Sequence, residues 1–346
     1  MSIQLVSGFV ALISCLGTLP LVRRFAQRFS LYDEQGPLKI HSGYIPRLGG
    51  IAMFVGFLAG TLTHYVFGVR LSYLPLFMFI PVWVVGLIDD VWSLGAGFRL
   101  FIHISAGSAL WLAGWRLMWF TSAPLDLFVT SVFVAFMINA WNLLDGMDGL
   151  ASGTATIVSI GFLMISSVEA NGIGMLVAAC LLGACLGMFS FNTPPAKMFM
   201  GDSGSTLIGI ALAFLSLNWV KTTSDPHSIA IPLLFFSIPL ADACLAILRR
   251  SRTPRLLFDG DRRHFYDLLL QRGLSVETVL NISMGVSALL VLLGWMCVHQ
   301  IIGLRATCIA VALGLISSAI LLGSLQPESK PLQPARQESP AGSAGE

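Results

Sequence analysis

The chain has 346 residues, of which 55% are hydrophobic and 11% are charged, and its formal net charge is +2. Soluble proteins carry roughly 25% charged residues, so the composition excludes an ordinary soluble domain. The six cysteines include no C-x-x-C pair and lie mostly in apolar runs, which excludes a disulfide framework and a zinc site built from them.

Long apolar stretches, separated by polar residues, glycine and proline, predict an all-α polytopic membrane protein. Each crossing of the hydrocarbon core needs about 20 mostly apolar residues, so about eleven transmembrane helices fit, and ten are the alternative because two stretches are short. In chain order, the predicted spans lie near 3–22, 47–66, 73–88, 100–116, 124–141, 152–168, 172–190, 204–219, 229–248, 278–297 and 301–323.

The basic residues predict the orientation of these spans. If the N-terminus lies in the periplasm, the periplasmic face receives only four of the 20 Lys and Arg residues, namely Arg70, Arg116, Lys221 and Arg305. Basic loops stay in the cytoplasm, so we predict a multi-pass protein of the bacterial inner membrane with a periplasmic N-terminus.

We expect a single transmembrane catalytic domain over residues 1–323. An odd number of spans places residues 324–346 in the cytoplasm, and their Pro, Ser, Gln and Glu content predicts a disordered tail. The predicted cytoplasmic loops lie near 23–46, 89–99, 142–151, 191–203 and 249–277.

Acidic residues collect on this predicted cytoplasmic face, although they come from three separate segments. Asp89 and Asp90 end the third span, where two carboxylates at the negative end of a helix dipole need a metal ion or a proton to hold them together. Carboxylates at membrane depth are costly and usually mark a functional site. The alternative is that the pair only forms a solvated helix end.

The segment after the fifth span reads N-A-W-N-L-L-D-G-M-D-G-L (139–150). Asn142, Asp145 and Asp148 are three residues apart and would share one face of a helical turn. Amide and carboxylate oxygens suit a hard cation such as Mg²⁺ together with its phosphate ligands. A plain connecting turn is the alternative, but a turn does not need this many Asn and Asp residues.

Before the eighth span, the sequence reads F-N-T-P-P-A-K-M-F-M-G-D-S-G-S (191–205). Asp202 opens the helix among small residues, where free N–H groups can hold a phosphate, and Lys197 can add a charge contact to a pyrophosphate. The alternative is that Asp202 or Ser203 is only an N-cap, although capping uses only part of a carboxylate's acceptor capacity.

Residues 36–50, between the first two spans, bring three basic side chains to the same predicted face, namely Lys39, His41 and Arg47. Anionic substrate phosphates need such counter-charges beside a metal ion. We therefore predict that these side chains bind substrate.

The basic loop 249–277 carries Arg263 and His264, which can grasp or position a phosphate. Four other arginines of this loop are better explained as anchors at the lipid headgroups. Asp242, inside the ninth span, is predicted to be structural, paired with Arg249 or with a later arginine.

Together these segments resemble the polyprenyl-phosphate N-acetylhexosamine-1-phosphate transferases, the WecA/MraY superfamily within glycosyltransferase family 4. The similarity runs from about residue 31 to about residue 267, with the motifs in the same order and at similar spacings. The motifs that carry it are K-x-H-x-x-x-x-P-R-x-G-G (39–50), G-x-x-D-D (86–90), N-A-x-N-x-x-D-G-x-D-G (139–149), N-x-x-P-A-K-x-F-M-G-D-x-G-S (192–205), P-x-x-D (239–242) and D-R-x-H (261–264).

The resemblance implies transfer of a sugar 1-phosphate from a UDP-N-acetylhexosamine to undecaprenyl phosphate, with release of UMP, as the first step of O-antigen or related surface-glycan synthesis. It implies Mg²⁺, or Mn²⁺ in its place, held by Asp202 and Asn142. We expect the lipid bilayer and these two substrates as partners and no nucleic acid, and a homodimer is left open by the sequence.

By the same resemblance, Asp89 would sit at the lipid-phosphate side, Asp145 and Asp148 would shape the nucleotide pocket, and His264 would hold the pyrophosphate. The predicted catalytic residues are Asp89, Asp90, Asp145, Asp148 and His264. The predicted substrate-binding residues are Lys39, His41, Arg47, Arg99, Asn192, Lys197, Phe199, which would stack on uracil, and Arg263.

A phosphomonoester acceptor is already largely an anion at neutral pH, so the reaction needs alignment more than activation. We predict direct in-line attack on the β-phosphorus, with Asp89 as orienter or weak base. A covalent aspartyl-phosphate at Asp89 is the alternative mechanism.

Two positions depart from the pattern of the family. Gly97 stands where many relatives carry lysine, with Arg99 two residues later as a substitute, and H-F-Y-D (264–267) stands where close relatives read H-x-H-H. Both changes favour a different sugar, for example N-acetylfucosamine or N-acetylquinovosamine in place of N-acetylglucosamine or N-acetylgalactosamine. They argue against a muramoyl-pentapeptide substrate.

Three other membrane classes fit less well. A secondary transporter would place its polar groups near the bilayer midplane, on broken helices, whereas these acids lie at span ends. An aspartate-rich prenyltransferase would need D-D-x-x-D, which residues 91–94 interrupt, and a CDP-alcohol phosphotransferase would need D-G-x-x-A-R.

Overall fold

The computed structural model describes residues 3–33, 44–67, 71, 73–251 and 263–322. This part of the chain is built almost entirely of helices, which confirms the predicted all-α polytopic fold. The predicted substrate residues Lys39 and His41 and the predicted tail 324–346 lie outside the described residues. The helices are α1 (Ile3–Arg28), α2 (Gly49–Val66), α3 (Leu74–Phe77), α4 (Phe79–Val91), α5 (Ala96–Leu112), α6 (Ala123–Leu144), α7 (Leu150–Val168), α8 (Gly172–Asn192), α9 (Gly201–Thr223), α10 (Ala230–Phe235), α11 (Ser237–Ser251), α12 (Phe265–Gln271), α13 (Val276–Val298) and α14 (Leu304–Leu322).

Among the described residues, nine helical segments are long and apolar enough to cross a membrane, and the count is ten if one bent pair forms a single span. Helices α3 and α4 count together as one of the nine, Leu74–Val91. The fourth predicted span corresponds to α5, which has 17 residues and therefore extends about 26 Å, less than the roughly 30 Å of a hydrocarbon core. The described residues therefore support the lower of the two predicted counts, and α5 is the additional short stretch that the count of eleven included.

The ninth predicted span, near 229–248, is not one straight helix. A 3₁₀ turn, Pro226–Ile229, leads into α10, and this segment meets α11 at an angle of 90°. Pro239 lies in the first turn of α11 and has no N–H to donate to the preceding turn, which favours a bend at this position.

Helix α9 lies at the centre of the protein. Its apolar 18-residue stretch is 100% buried, and the helix packs against α2, α4, α6 and α8. A helix that is apolar on all sides belongs in such a core. The first turn of α9, which carries Asp202, is thereby placed beside the ends of α4 and α6.

Helices α4 and α9 approach closely at Gly86. A Cβ atom at this position would lie 2.7 Å from the Asp202 carbonyl oxygen and 2.8 Å from the Ser203 Cα atom. Only glycine leaves room for this contact, as is common where membrane helices pack backbone to backbone. Gly86 therefore sets the distance between the D-D pair of α4 and the start of α9.

A two-residue antiparallel ladder, β1 (Tyr32–Asp33) with β2 (Ile45–Pro46), lies between α1 and α2. The chain after β2 runs along the segment that precedes α9. Phe199 N–H donates to the Pro46 carbonyl (2.9 Å), Gly49 N–H to the Phe199 carbonyl (2.9 Å) and Gly50 N–H to the Met200 carbonyl (2.7 Å).

Candidate active site

Asp90 of α4 holds the N-terminus of α9. Its Oδ1 accepts a hydrogen bond from the Asp202 N–H (2.6 Å), and its Oδ2 accepts from the Ser203 N–H (3.1 Å) and the Ser203 hydroxyl (2.6 Å). The residue is only 4% exposed. A carboxylate at this place satisfies free N–H groups of the helix and lies at the positive end of its dipole. We predicted Asp90 as catalytic, and these three contacts favour a part in holding Asp202 in place.

Gly201 makes this contact sterically possible. Its φ angle of 70° lies in the left-handed region, and an added Cβ would lie 2.7 Å from the Asp90 Cγ atom. Glycine is therefore required here both because the φ angle is positive and because a side chain would collide with Asp90. This explains the glycine of the G-D pair in physical terms.

Asp89 points to a different place from its neighbour Asp90. Its Oδ1 accepts a hydrogen bond from the Leu94 N–H (2.5 Å), and its Oδ2 forms an ion pair with Arg99 Nη1. The same Arg99 nitrogen lies 3.2 Å from Asp202 Oδ2. One guanidinium therefore bridges carboxylates from α4 and α9, and Asp89 is not the solvated helix end that the sequence left as an alternative.

Asp202 and Asn142 lie in direct contact, as their predicted common role requires. Asn142 Nδ2 donates to Asp202 Oδ1 (2.6 Å) and to the Ser205 hydroxyl (3.1 Å). The N-cap of α9 is Met200, without a side-chain capping bond, so Asp202 is not an N-cap of its own helix. Its carboxylate is one-third exposed and faces Asn142 and Arg99 instead.

The donor set is compatible with a hard divalent cation. Asp89 and Asp202 both direct a carboxylate oxygen at one cationic atom of Arg99, so negative charge converges between α4 and α9. In the described part of the chain, no three His, Cys, Asp or Glu side chains form a metal cluster. Mg²⁺ commonly takes one or two carboxylates and completes its shell with water and substrate phosphates, so two carboxylates suffice. Asn142 directs its amide nitrogen at Asp202. To bind a metal ion, the side-chain amide would have to rotate so that its oxygen takes the place of the nitrogen.

The D-G-x-D-G segment does not continue α6. The helix ends at Leu144 and α7 begins at Leu150, so the predicted shared helical face of Asn142, Asp145 and Asp148 is wrong beyond Leu144. Asp148 Oδ2 accepts a hydrogen bond from the Ala196 N–H (2.9 Å), and Asp145 is half-buried. The two residues predicted to shape the nucleotide pocket therefore lie in a turn that is hydrogen-bonded to the loop before α9.

Asn192 also fastens these two loops. Its Oδ1 accepts from the Gly149 N–H (3.0 Å) and the Ser152 hydroxyl (3.0 Å), and its Nδ2 donates to the Met198 carbonyl (3.2 Å). The residue is buried. Both polar ends of the amide are committed to the protein, so the structure favours a supporting part over the predicted substrate contact.

The other residues of this region that we predicted to bind substrate differ in solvent exposure. Lys197 is exposed, whereas Arg47 and Phe199 are half-buried. The backbone of Phe199 is paired with the segment after β2, and Arg47 lies in that segment, close enough to act electrostatically on Asp90. The structure thus brings Arg47, Lys197 and Phe199 into the region around the start of α9.

His264 is held by Asp242, a pairing that sequence reasoning missed. His264 Nδ1 lies 2.5 Å from Asp242 Oδ2, and Asp242 Oδ1 accepts from the Phe265 N–H (2.9 Å). The Asp242 carboxylate is directed at the start of α12, and the described residues show no ion pair between it and Arg249; the later arginines Arg252, Arg255 and Arg262 lie outside the described residues. The P-x-x-D and D-R-x-H motifs were the available signal, but nothing in their spacing shows that they meet. Arg263, the residue before, is half-buried.

Tyr266 connects His264 to the turn after α6. The two rings are parallel, with an interplanar angle of 5° and centroids 5.4 Å apart. The Tyr266 hydroxyl donates to the Leu143 carbonyl (3.5 Å) and lies against Gly146, where a Cβ would be 2.8 Å from the ring carbon that bears the hydroxyl. A continuous set of contacts therefore runs from Asp242 to the D-G-x-D-G turn.

Sequence comparison places the chain in a known family. The model of glycosyl transferase family 4 matches residues 72–220. The chain is 30% identical over 287 residues to a probable undecaprenyl-phosphate N-acetylglucosaminyl 1-phosphate transferase of Bacillus subtilis, with 79% of each chain covered. The chain belongs to glycosyl transferase family 4. This confirms the resemblance that the motifs indicated.

Two further relatives show the breadth of the match. A decaprenyl-phosphate N-acetylglucosaminephosphotransferase of Mycobacterium tuberculosis is 32% identical over 320 residues, covering 81% of this chain and 78% of its own. An undecaprenyl-phosphate alpha-N-acetylglucosaminyl 1-phosphate transferase of Escherichia coli is 27% identical over 293 residues, covering 79% and 78%. The family match, 72–220, includes Asp89, Asn142 and Asp202, so the cluster around α9 lies within the matched region.

Proposed function

We propose that this member of glycosyl transferase family 4 transfers a sugar 1-phosphate from a UDP-N-acetylhexosamine, or a deoxy-N-acetylhexosamine analogue, to undecaprenyl phosphate and releases UMP. The observation that carries the proposal is the junction of Asp89, Arg99, Asn142 and Asp202 at the ends of four helices. The names of the B. subtilis and E. coli relatives support both the sugar phosphate and the polyprenyl phosphate. We further propose that the product begins O-antigen or a related surface glycan.

We infer that Asp202 and Asn142 hold Mg²⁺, or Mn²⁺ in its place, with Asp89 nearby. The ion, when bound, would neutralise the pyrophosphate charge and align its oxygens. Support comes from the convergence of the Asp89 and Asp202 carboxylates on one cationic atom of Arg99. Arg99 would then supply counter-charge to the acceptor phosphate beside Asp89.

The reaction we propose is a direct in-line displacement. An oxygen of the acceptor phosphate attacks the β-phosphorus, the bond from that phosphorus to the bridging oxygen breaks, and the electron pair leaves with UMP. Asp89 orients the acceptor, and His264 with Arg263 holds the pyrophosphate charge. Asp145, Asp148 and Phe199 shape the nucleotide pocket, in which the Phe199 ring is available to stack on uracil.

The proposed orientation places this site at the cytoplasmic face of the bacterial inner membrane. The support is the distribution of Lys and Arg along the sequence, since basic loops are retained in the cytoplasm. A cytoplasmic site would meet the soluble UDP-sugar directly. Cysteine labelling at Lys197 from either side of sealed membrane vesicles tests the orientation.

The decisive experiment incubates membranes containing the protein with undecaprenyl phosphate, Mg²⁺ and a panel of UDP-sugars, and measures UMP. We expect UMP release that requires both the lipid and the metal, with one sugar preferred. Asp202→Asn should abolish turnover while the exposed-acid control Glu277→Gln keeps it. Absence of UMP with every sugar would overturn the transferase proposal, and a phosphosugar trapped on the enzyme without lipid would favour the aspartyl-phosphate route.

A further inference from the structure

Asp242 is a buried carboxylate whose position calls for an explanation. It lies within α11, in the apolar bent segment, and is 3% exposed. A carboxylate in such surroundings is costly unless it is paired and hydrogen-bonded. Both of its oxygens are used, and both serve the same short stretch of chain, at His264 Nδ1 and at the Phe265 N–H.

These two contacts determine the state of the His264 ring. With Nδ1 directed at the Asp242 carboxylate, that nitrogen carries the proton. Any contact of this ring with a substrate phosphate must therefore go through Nε2. The Phe265 N–H donates to the other oxygen of the same carboxylate and holds the backbone beside the ring. The imidazole cannot turn over without breaking the contact between its Nδ1 and Asp242.

Tyr266 restricts the same ring from a second direction. Its ring is parallel to the imidazole, and its hydroxyl is seated on the D-G-x-D-G turn at Gly146. Gly146 has no side chain, and an added Cβ would displace the phenol. His264 is itself 5% exposed, so its place is set by these neighbours and not by solvent.

We propose that Asp242 and Tyr266 are positioning residues that fix the His264 imidazole, so that Nε2 is the atom it presents to the pyrophosphate. This inference rests on the proposed function. Neither residue touches substrate in this arrangement. Both act through the orientation of His264, and Tyr266 ties that orientation to the turn that carries Asp145 and Asp148.

A double-mutant cycle tests this arrangement, with kcat for UMP release measured in the wild type, Asp242→Asn, His264→Ala and the double variant. Removal of a carboxylate that orients a metal-ligating histidine typically costs about 10–100-fold, and by that comparison we expect a similar loss of kcat in Asp242→Asn. In the His264→Ala background, Asp242→Asn should change kcat less than about twofold, because the ring it orients is gone. Equal losses in both backgrounds, or an unaffected Asp242→Asn variant, would overturn the inference.

Tyr266 provides a second test that does not depend on a foldable Asp242 variant or on residual turnover without His264. Tyr266→Phe keeps the parallel ring and loses only the hydroxyl contact with the turn, so it should lower kcat less than Tyr266→Leu, which removes both. The KM for the UDP-sugar should change little in either variant. Equal kcat values in the two variants would overturn the inference. A wild type that releases no UMP would instead overturn the proposed function, so the two failures are distinguishable.

Discussion

Replacement of Asp90 by Asn should impair the folded protein, whereas the same change at the adjacent Asp89 should impair turnover. Asp90 accepts three hydrogen bonds, two of them from backbone N–H groups at the start of α9. An amide of the same shape keeps one acceptor oxygen but turns an NH₂ group toward the Ser203 N–H. At least one bond to a charged acceptor is lost, worth about 1.5–3 kcal/mol, and the helix dipole loses its anion, worth about 1 kcal/mol. We expect a total near 3 kcal/mol.

The assay is thermal unfolding of the purified protein in detergent, combined with UMP release. Asp90→Asn should lower Tm clearly and reduce activity in proportion to the folded fraction and the displacement of Asp202. Asp89→Asn can keep its amide oxygen on the Leu94 N–H and loses the pair with Arg99, which is one-third exposed. That pair is worth about 1 kcal/mol or less, so Tm should change little while turnover falls strongly. An Asp90→Asn protein with wild-type Tm and no turnover would refute the supporting role and restore Asp90 to the chemistry.

Three further predictions follow from the contacts around α9. Arg99→Gln should lower the Mg²⁺ concentration for half-maximal activity by up to about fivefold, because an ion pair whose partners are one-third exposed contributes about 1 kcal/mol or less. The kcat should fall as well, and an unchanged Mg²⁺ titration would contradict the proposal that Arg99 and the ion share the space beside Asp202. Gly86→Ala should lower Tm by overpacking worth about 1–3 kcal/mol, whereas Gly97→Ala, with open space around its Cβ, should leave Tm unchanged. Asn192→Ala leaves the buried Gly149 N–H without its acceptor, which costs about 1–3 kcal/mol. The variant should therefore have a lower Tm and a higher KM for the UDP-sugar. A changed KM at constant Tm would instead indicate that Asn192 contacts the substrate directly.

The sequence predicted the parts of the fold that depend on local properties. Apolar length predicted the spans, and only α5 and the bend between α10 and α11 differ, because a short helix and a proline-interrupted one have the same composition as a full span. The meeting of Asn142 with Asp202 was also predictable, since two oxygen-rich motifs at span ends on one face can serve a common ion.

Other contacts between distant segments could not be predicted from sequence patterns. Asp242 and His264 are 22 residues apart and meet only because α11 leaves the bend in a particular direction. Asn192 lies in a motif from which we predicted a substrate contact, yet its amide joins the turn after α6 to the loop before α9. Charge and spacing suggest which residues belong to a site, but which of them face the substrate depends on tertiary packing.

Asp89 and Asp90 show why identical neighbouring residues can have different roles. Successive residues of an α-helix point about 100° apart, so Asp89 and Asp90 cannot face the same partner. Packing of α4 against α9 at Gly86 directs Asp90 into the interface, where it meets the N–H groups of Asp202 and Ser203. Asp89 is left on the side of Arg99. The motif is therefore better understood as one supporting and one functional carboxylate than as a pair that chelates a metal, and the supporting one places Asp202 beside the functional one.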